Sequence, residues 1–461
     1  MANDTPDVDI QDGKLLRVTW QGLCDLRLQN KRITSISKCV FEKAPSDLGC
    51  IDLRDNRLKE VPDFGNARSA NTLLLSRNEI ASISRESFES LPNLQEIRLT
   101  KNCLEELGSR IFADLTYLYT LNLSYNDISS IANDAFAGLH FLKHLDLSHN
   151  SIPALPDYVF ADLRSLETLI LSCNVISEIN KNNFRALDQL LELDLHLISI
   201  TELRDDIFID LCNLKKLTLS WGKLYTISSN AFCGLESLEV LELNRNLLTA
   251  ISGGLFRHLT NLKRLVLPYN DITDIDQTAF EGLTSLRELN LSRNQISYLS
   301  DGVFSKIPTL THLNLSWNRL SDVLTPEIFQ GLDNLEELEL CRNGVATLEK
   351  GLFSKLPKLV TLNLSNNCIA TIEPGAFDNL KNLKELKLSW NYLETLPEDG
   401  FQDLSSLEKL SLSYNKIADL TPEMFAGIAN IKELDLYKNR LEMLPDDVSR
   451  VLIHLEKLKI T

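Results

Sequence analysis

No apolar run in this chain reaches the roughly 18 residues that a membrane-spanning helix requires, which argues against direct membrane insertion of this segment. Basic residues are scarce relative to acidic ones. Against 64 Asp and Glu stand 47 Lys and Arg, a net charge of −17, and such a surface argues against a general binder of nucleic acid or anionic membrane. The opening residues MANDTPDVDIQDG contain neither the basic nor the apolar stretch of a secretory leader, so the expected alternatives are a cytosolic protein and a mature or trimmed fragment. Also missing are GxSxG, HExxH, P-loop, GxGxxG and CxxC motifs, and the chain therefore reads as a non-enzyme that needs no cofactor. The nine cysteines at 24, 39, 50, 103, 173, 212, 233, 341 and 368 are odd in number and scattered, and they form no obvious disulfide framework.

What is there is repetition. At 461 residues an ordinary chain would form two to four domains, but only if its sequence does not repeat. LYTLNLSYNDISSIANDAFAGL at 118–139 recurs as LRELNLSRNQISYLSDGVFSKI at 286–307 and as LVTLNLSNNCIATIEPGAFDNL at 359–380. All fit LxxLxLxxNxIxxIxxxxFxxL. The Asn column falls at 56, 78, 102, 126, 150, 174, 246, 270, 294, 318, 343, 367, 391, 415 and 439, with Ile198 and Gly222 filling its two gaps. A Phe column recurs in step from Phe41 to Phe425, and of the 18 phenylalanines only Phe141 lies outside it. An earlier repeat has Lys31 in the Asn column and LEKLKI at 455–460 opens a last one, giving 18 repeats and a partial nineteenth.

Each unit has a physical reading. The LxL alternation is a short strand with leucines turned inward, and the Asn after it can satisfy backbone groups left open by a sharp turn. One unit cannot bury its own apolar face, so neighbours must stack into a continuous core. Residues 1–22 are expected to cap the first repeat, with Val8–Ile10 and Leu16–Trp20 alternating around Asp12-Gly13 as in a tight hairpin. Residues 23–461 are expected to form the repeat domain. Because Thr461 follows directly on a strand motif, a C-terminal cap is expected to be absent and the protein to continue.

Over about residues 23–460 these motifs resemble the leucine-rich repeat family, and the 24-residue unit with its Phe is similar to those of Toll-like receptors, Slit, chaoptin and the acid-labile subunit. The resemblance implies an α/β solenoid: a curved horseshoe with a parallel concave sheet and a mostly irregular convex side. It further implies a non-catalytic protein-recognition domain at the cell surface or outside the cell. Such a domain belongs to a receptor, adhesion protein or secreted binding protein, a glycoprotein of adhesion or signalling that binds a protein ligand or receptor on its concave face, with homodimerisation left open. Extracellular members usually carry Cys-rich caps, and here no Cys precedes Cys24 or follows Cys368. The alternative is a cytoplasmic scaffold or adaptor.

The position before the Asn offers the candidate binding residues. From the ninth repeat it reads Trp221, Arg245, Tyr269, Arg293, Trp317, Arg342, Asn366, Trp390, Tyr414 and Lys438. Trp, Tyr and Arg are enriched at binding hot spots, and the competing reading is a self-stacked ladder of guanidinium groups and rings. In the seventh to ninth repeats Ile170, Cys173, Leu191 and Leu197 are outward positions. The favoured reading there is that Leu197 and Ile198 turn inward where the Asn is lost. His144, Asp146, His149, Cys173, Asp194 and His196 are irregularly spaced and read as solvated polar residues, not as a metal site. Cys24 and Cys50 fall on adjacent strands one residue out of register, a weak candidate bridge. Sequons at Asn3, Asn122, Asn290, Asn314 and Asn363 are candidate glycosylation sites, and the last four each lie in LNLS, a common filling of the repeat. Glycans there would compete with the Trp and Arg column for the concave face.

Overall fold

A computed structural model of the chain describes residues 7–20, 22–321 and 323–460. The chain divides into two compact units, Met1–Leu238 and Glu239–Thr461, and each is a parallel-sheet solenoid with one strand per repeat. The first unit carries strands Asp25–Arg27, Cys50–Asp52, Thr72–Leu74, Glu96–Arg98, Thr120–Asn122, His144–Asp146, Thr168–Ile170, Glu192–Asp194 and Lys216–Thr218. Those of the second are Val240–Glu242, Arg264–Val266, Glu288–Asn290, His312–Asn314, Glu337–Glu339, Thr361–Asn363, Glu385–Lys387, Lys409–Ser411, Glu433–Asp435 and Lys457–Lys459. Central residues align from strand to strand, as in Leu121, Leu145, Leu169 and Leu193. The short step from Ile51 to Leu73 and the long step from Leu313 to Leu338 keep that register, because the loops absorb the length difference.

The strands are three residues long because the chain then turns into the left-handed region. Every residue before the Asn has positive φ, from Asp55 at 57° to Lys438 at 58°, a conformation that usually disfavours residues other than Gly, Asn or Asp. Two sets of hydrogen bonds hold it. The turn residue's own N–H donates to the next repeat, as Trp317 does to the Cys341 carbonyl at 2.8 Å. The following Asn then ties its own repeat to the one before. Asn126 Nδ2 donates to the Leu99 and Leu123 carbonyls at 3.0 Å each, and its Oδ1 accepts from the Leu104 N–H at 3.1 Å.

Behind the sheets the leucine columns are fully buried and the Phe column forms a spine. Phe112 and Phe136 stack with centroids 6.2 Å apart, and Phe353 and Phe377 do the same in the second unit. Each buried Leu or Phe contributes about 1.5–3 kcal/mol, but only with a neighbour to cover it. Outside these sheets the described residues are mostly irregular, with two-residue parallel strand pairs such as Glu106–Leu107 with Ser130–Ile131, 3₁₀ turns such as Pro326–Phe329 and the helix Asp446–Val451. At the start Val8–Gln11 and Lys14–Val18 pair antiparallel around Asp12 and Gly13, whose φ of 50° and 78° suit a two-residue hairpin turn. The indole N–H of Trp20 donates to the Val40 carbonyl at 3.2 Å, and its ring packs on Phe41, joining the hairpin to the spine.

One expectation is corrected. Ile198 is buried, but Leu197 points out and is 45% exposed. The turn persists without its Asn, since Leu197 keeps φ at 54° and donates its N–H to the Ser220 carbonyl at 2.9 Å. Backbone geometry sets the side-chain direction there. Nor is the Cys24–Cys50 bridge formed: Cys50 is a free thiol, and Cys24 Sγ donates to the Asp47 carboxylate at 3.7 Å. The Asn3 sequon lies outside the described residues.

Candidate protein-recognition surface

The left-handed turn places one side chain per repeat in single file at the exposed strand ends. In the second unit the column becomes a ladder of alternating cations and rings. The Arg245 guanidinium carbon lies 4.0 Å from the Tyr269 ring centre, and that of Arg293 lies 4.8 Å from the same ring. Arg293 also stands 3.9 Å from the centre of Trp317, whose ring is covered again by Arg342 at 4.1 Å. Tyr269 and Trp317 nevertheless remain 40% and 38% exposed. Asn366 interrupts the run. Beyond it Trp390 stacks on Tyr414 with centroids 3.8 Å apart, and Tyr414 meets the edge of Tyr437. Trp221, in the first unit, packs edge-on against His196.

Reading from the ninth repeat missed an earlier stretch of the same column. Tyr125 and His149 stack at 3.9 Å with Lys101 5.2 Å from the Tyr125 ring, and the signal was present in the residue types Lys, Tyr and His at that position. Still earlier the column pairs by charge, Arg77 with Asp55 at 3.3 Å. Ring contact and hydrogen bonding account for two of the polar residues nearby: His144 packs on Tyr119, and Asp146 accepts from Ser148 and Asn122. In the seventh and eighth repeats Leu191 is exposed, whereas Ile170 and Cys173 are half-buried, and burial raises the Cys173 thiol above its ordinary range with Asp194 adding to the effect.

Sequence comparison decides the family. The Leucine rich repeat model matches in overlapping stretches that together cover residues 68–320 and 322–441, and a second Leucine Rich Repeat model matches 309–332. The chain belongs to the leucine-rich repeat family. It is 33% identical over 105 residues to rat leucine-rich repeat-containing G-protein coupled receptor 5, a match to 21% of this chain and 12% of the receptor. It is 38% identical over 72 residues to the human U2 small nuclear ribonucleoprotein A′, matching 15% of this chain and 28% of that protein. The chain thus spans a minor part of these relatives. Among solved structures, that of the Drosophila Toll–Spätzle complex shares the fold, with a TM-score of 0.75 at 22% identity over 100% of this chain and 62% of that one.

On this leucine-rich repeat sheet the four LNLS asparagines occupy strand ends and are half-buried. Asn122 donates its amide to Asp146 at 3.0 Å and Asn363 donates to Glu339 at 2.6 Å. All four accept from the N–H two residues on, which locks the side chain against the turn. Glu339 is pushed up from the ordinary carboxylate range chiefly by burial, against the opposing effect of the Asn363 bond. It lines a shallow cavity of about 260 Å³ with Glu288, His312 and Glu337.

Proposed function

We propose that this leucine-rich repeat chain is a non-catalytic protein-recognition domain, the ectodomain of a receptor, adhesion protein or secreted binding protein. Its partner docks on the open face of the sheets through the column of Trp221, Arg245, Tyr269, Arg293, Trp317, Arg342, Trp390 and Tyr414. The observation that carries this reading is the cation and ring ladder of the second unit. Broad side chains of the types enriched at hot spots are held there by backbone and by one another before any partner arrives, so little rotamer entropy is lost on binding. The likeness to a G-protein coupled receptor and to the Toll–Spätzle complex supports a receptor setting. In such a setting Asn122, Asn290, Asn314 and Asn363 are the candidate glycan sites.

The test is affinity for a partner captured on the secreted chain. Trp317→Ala and Arg342→Ala should each lower it by about 1–2 kcal/mol, the scale of a hot spot, with the fold intact. Unchanged affinity in both variants removes the column from the interface. A second reading, a cytoplasmic scaffold, is favoured by the exposed free thiols of Cys39, Cys103, Cys212 and Cys368, which an oxidising compartment would put at risk. Secretion from a eukaryotic host with those thiols intact supports the first reading, and their scrambling into mixed disulfides supports the second.

A further inference from the structure

We propose that the ladder of Arg245, Tyr269, Arg293, Trp317 and Arg342 receives an acidic, extended polypeptide segment, whose carboxylates meet the guanidinium edges. This rests on the reading of the column as a recognition surface and gives the partner its chemistry. The guanidinium carbons of Arg293 and Arg342 sit over aromatic rings, which leaves their N–H groups as donors for a ligand, a planar fork that matches a carboxylate. Several cations of this unit find anions within the chain: Arg264 pairs with Glu288, Lys263 with Glu239 and Lys387 with Glu385. Among the described residues no such ion pair involves Arg293 or Arg342. The contrast within the column is sharper still, because Arg77 there is paired with Asp55 one repeat away. Where Asp occupies the neighbouring place the column neutralises itself. Between Tyr269 and Arg342 it stays cationic, on a chain of net charge −17.

Spacing points to an extended segment. Arg293 and Arg342 lie about 4 Å from the centre of Trp317 and flank it along the column, so their charged carbons stand on the order of 8 Å apart. Acidic side chains at alternate positions of a strand repeat at about 6.6 Å, and those at every third position of a polyproline II segment at about 9.3 Å, which brackets the ladder. A nucleic acid fits less well. The guanidinium groups of Arg293 and Arg342 already crowd the Trp317 ring, leaving no platform for base stacking.

The experiment titrates fluorescein-labelled peptides of alternating Asp and Ser, Asn and Ser, or Lys and Ser, and an oligouridylate of equal length, into the whole chain by fluorescence anisotropy. Variants are Arg293→Gln with Arg342→Gln, Arg293→Lys with Arg342→Lys, and Trp317→Ala, each checked for an unchanged circular dichroism spectrum. The Asp peptide should bind. Its affinity should fall about tenfold or more in the Gln pair and in Trp317→Ala, less in the Lys pair, and steeply between about 50 and 200 mM salt in the unmodified chain. The salt series needs no variant and so tests the proposal even if one misfolds. Equal binding of the Asp and Asn peptides, full binding by the Gln pair, or tighter binding of the RNA overturns it. If the Lys or Asn peptide binds best and Trp317→Ala abolishes that binding, the acidic partner is wrong while the column remains a recognition surface. Binding indifferent to Trp317→Ala for every probe overturns both.

Discussion

Replacing Asn318 with Ala removes one peg from the ladder of buried amides, and its cost can be worked bond by bond. The amide is 8% exposed; Nδ2 donates to the Leu291 and Leu315 carbonyls at 3.0 Å, and Oδ1 accepts from the Ile296 N–H at 3.1 Å. The two carbonyls are not orphaned by the change, because Asn294 still donates to Leu291 and Asn343 to Leu315. Each loses a second bond, worth about 1 kcal/mol. The Ile296 N–H loses its acceptor in a buried place, a penalty of about 1–3 kcal/mol. Destabilisation of about 3–5 kcal/mol follows, and in a repeat array with nearest-neighbour coupling it should stay local. Urea unfolding followed by circular dichroism gives the total, and hydrogen exchange gives the place. Protection should collapse at Ile296 and its flanking turns and persist in distant repeats. The matched control is Asn366→Ala, the same chemistry one column away: half-exposed, with φ at 57°, it should lose no more than about 1–2 kcal/mol through the left-handed backbone alone. Equal losses in the two variants, or unchanged exchange at Ile296, would refute this account of what the Asn column does.

Other outcomes follow from the same geometry. Phe353, fully buried between Phe329 and Phe377, should cost about 3–5 kcal/mol when replaced by Ala, read as a lowered urea midpoint. Burial, reinforced by Asp25 and Asp52, pushes the Cys50 thiol up to about 11, so at pH 8 about 0.1% is thiolate and iodoacetamide should label it last, well after exposed Cys103 and Cys368; early labelling refutes the burial argument. Since that thiol ionises near 9 when unfolded, its contribution is fully present below pH 9 and is lost as pH rises toward 11, and Cys50→Ala should flatten that part of the stability curve. Trp317→Ala should lower the melting temperature only slightly, the two stacked guanidinium contacts being worth about 0.5–1 kcal/mol each at an exposed site.

The fold was legible because its information is periodic. A leucine at every second strand position and a Phe once per repeat leave no other register in which both can be buried, and the 22- and 25-residue repeats shift only loops. The hairpin around Asp12-Gly13 was legible for a local reason, two residues tolerant of positive φ between alternating strands. The fate of Leu197 was not. Sequence logic ties the turn to its Asn, but the Leu197 N–H bond to Ser220 comes from the next repeat's backbone, which carries no residue signature. The early stretch of the column, Lys101, Tyr125 and His149, is readable from its residue types, although no Trp marks it. The contrast between the paired Arg77 and the stacked Arg293 needed distances.

The left-handed column explains why structure and recognition do not compete in this chain. Large β-branched or aromatic side chains at positive φ are ordinarily costly, roughly 1–2 kcal/mol per residue, and here the same backbone state recurs in every full repeat from Asp55 to Lys438 whatever residue occupies it. Asp, Arg, Lys, Tyr, His, Cys, Leu, Trp and Asn all take it. What holds it recurs along the column: the N–H bond to the next repeat, from Asp55 through Leu197 and from Arg245 through Tyr414, and the Asn that follows, which Ile198 and Gly222 show can be spared. Stability therefore resides in the invariant backbone and the inward columns, and the outward residue of each turn is free to vary without unfolding the array. A surface built that way can be rewritten one repeat at a time. The prediction that separates this view from a purely structural ladder is exchange of occupants: Arg293→Tyr together with Tyr269→Arg should leave the unfolding free energy within about 1 kcal/mol of the original, because the exchanged pair still stack on each other and Arg245 gives up one exposed ring contact, while moving a cation by one repeat and so changing which acidic peptide spacing is preferred. A large stability loss would mean that the side chains, and not the backbone, hold the column in place.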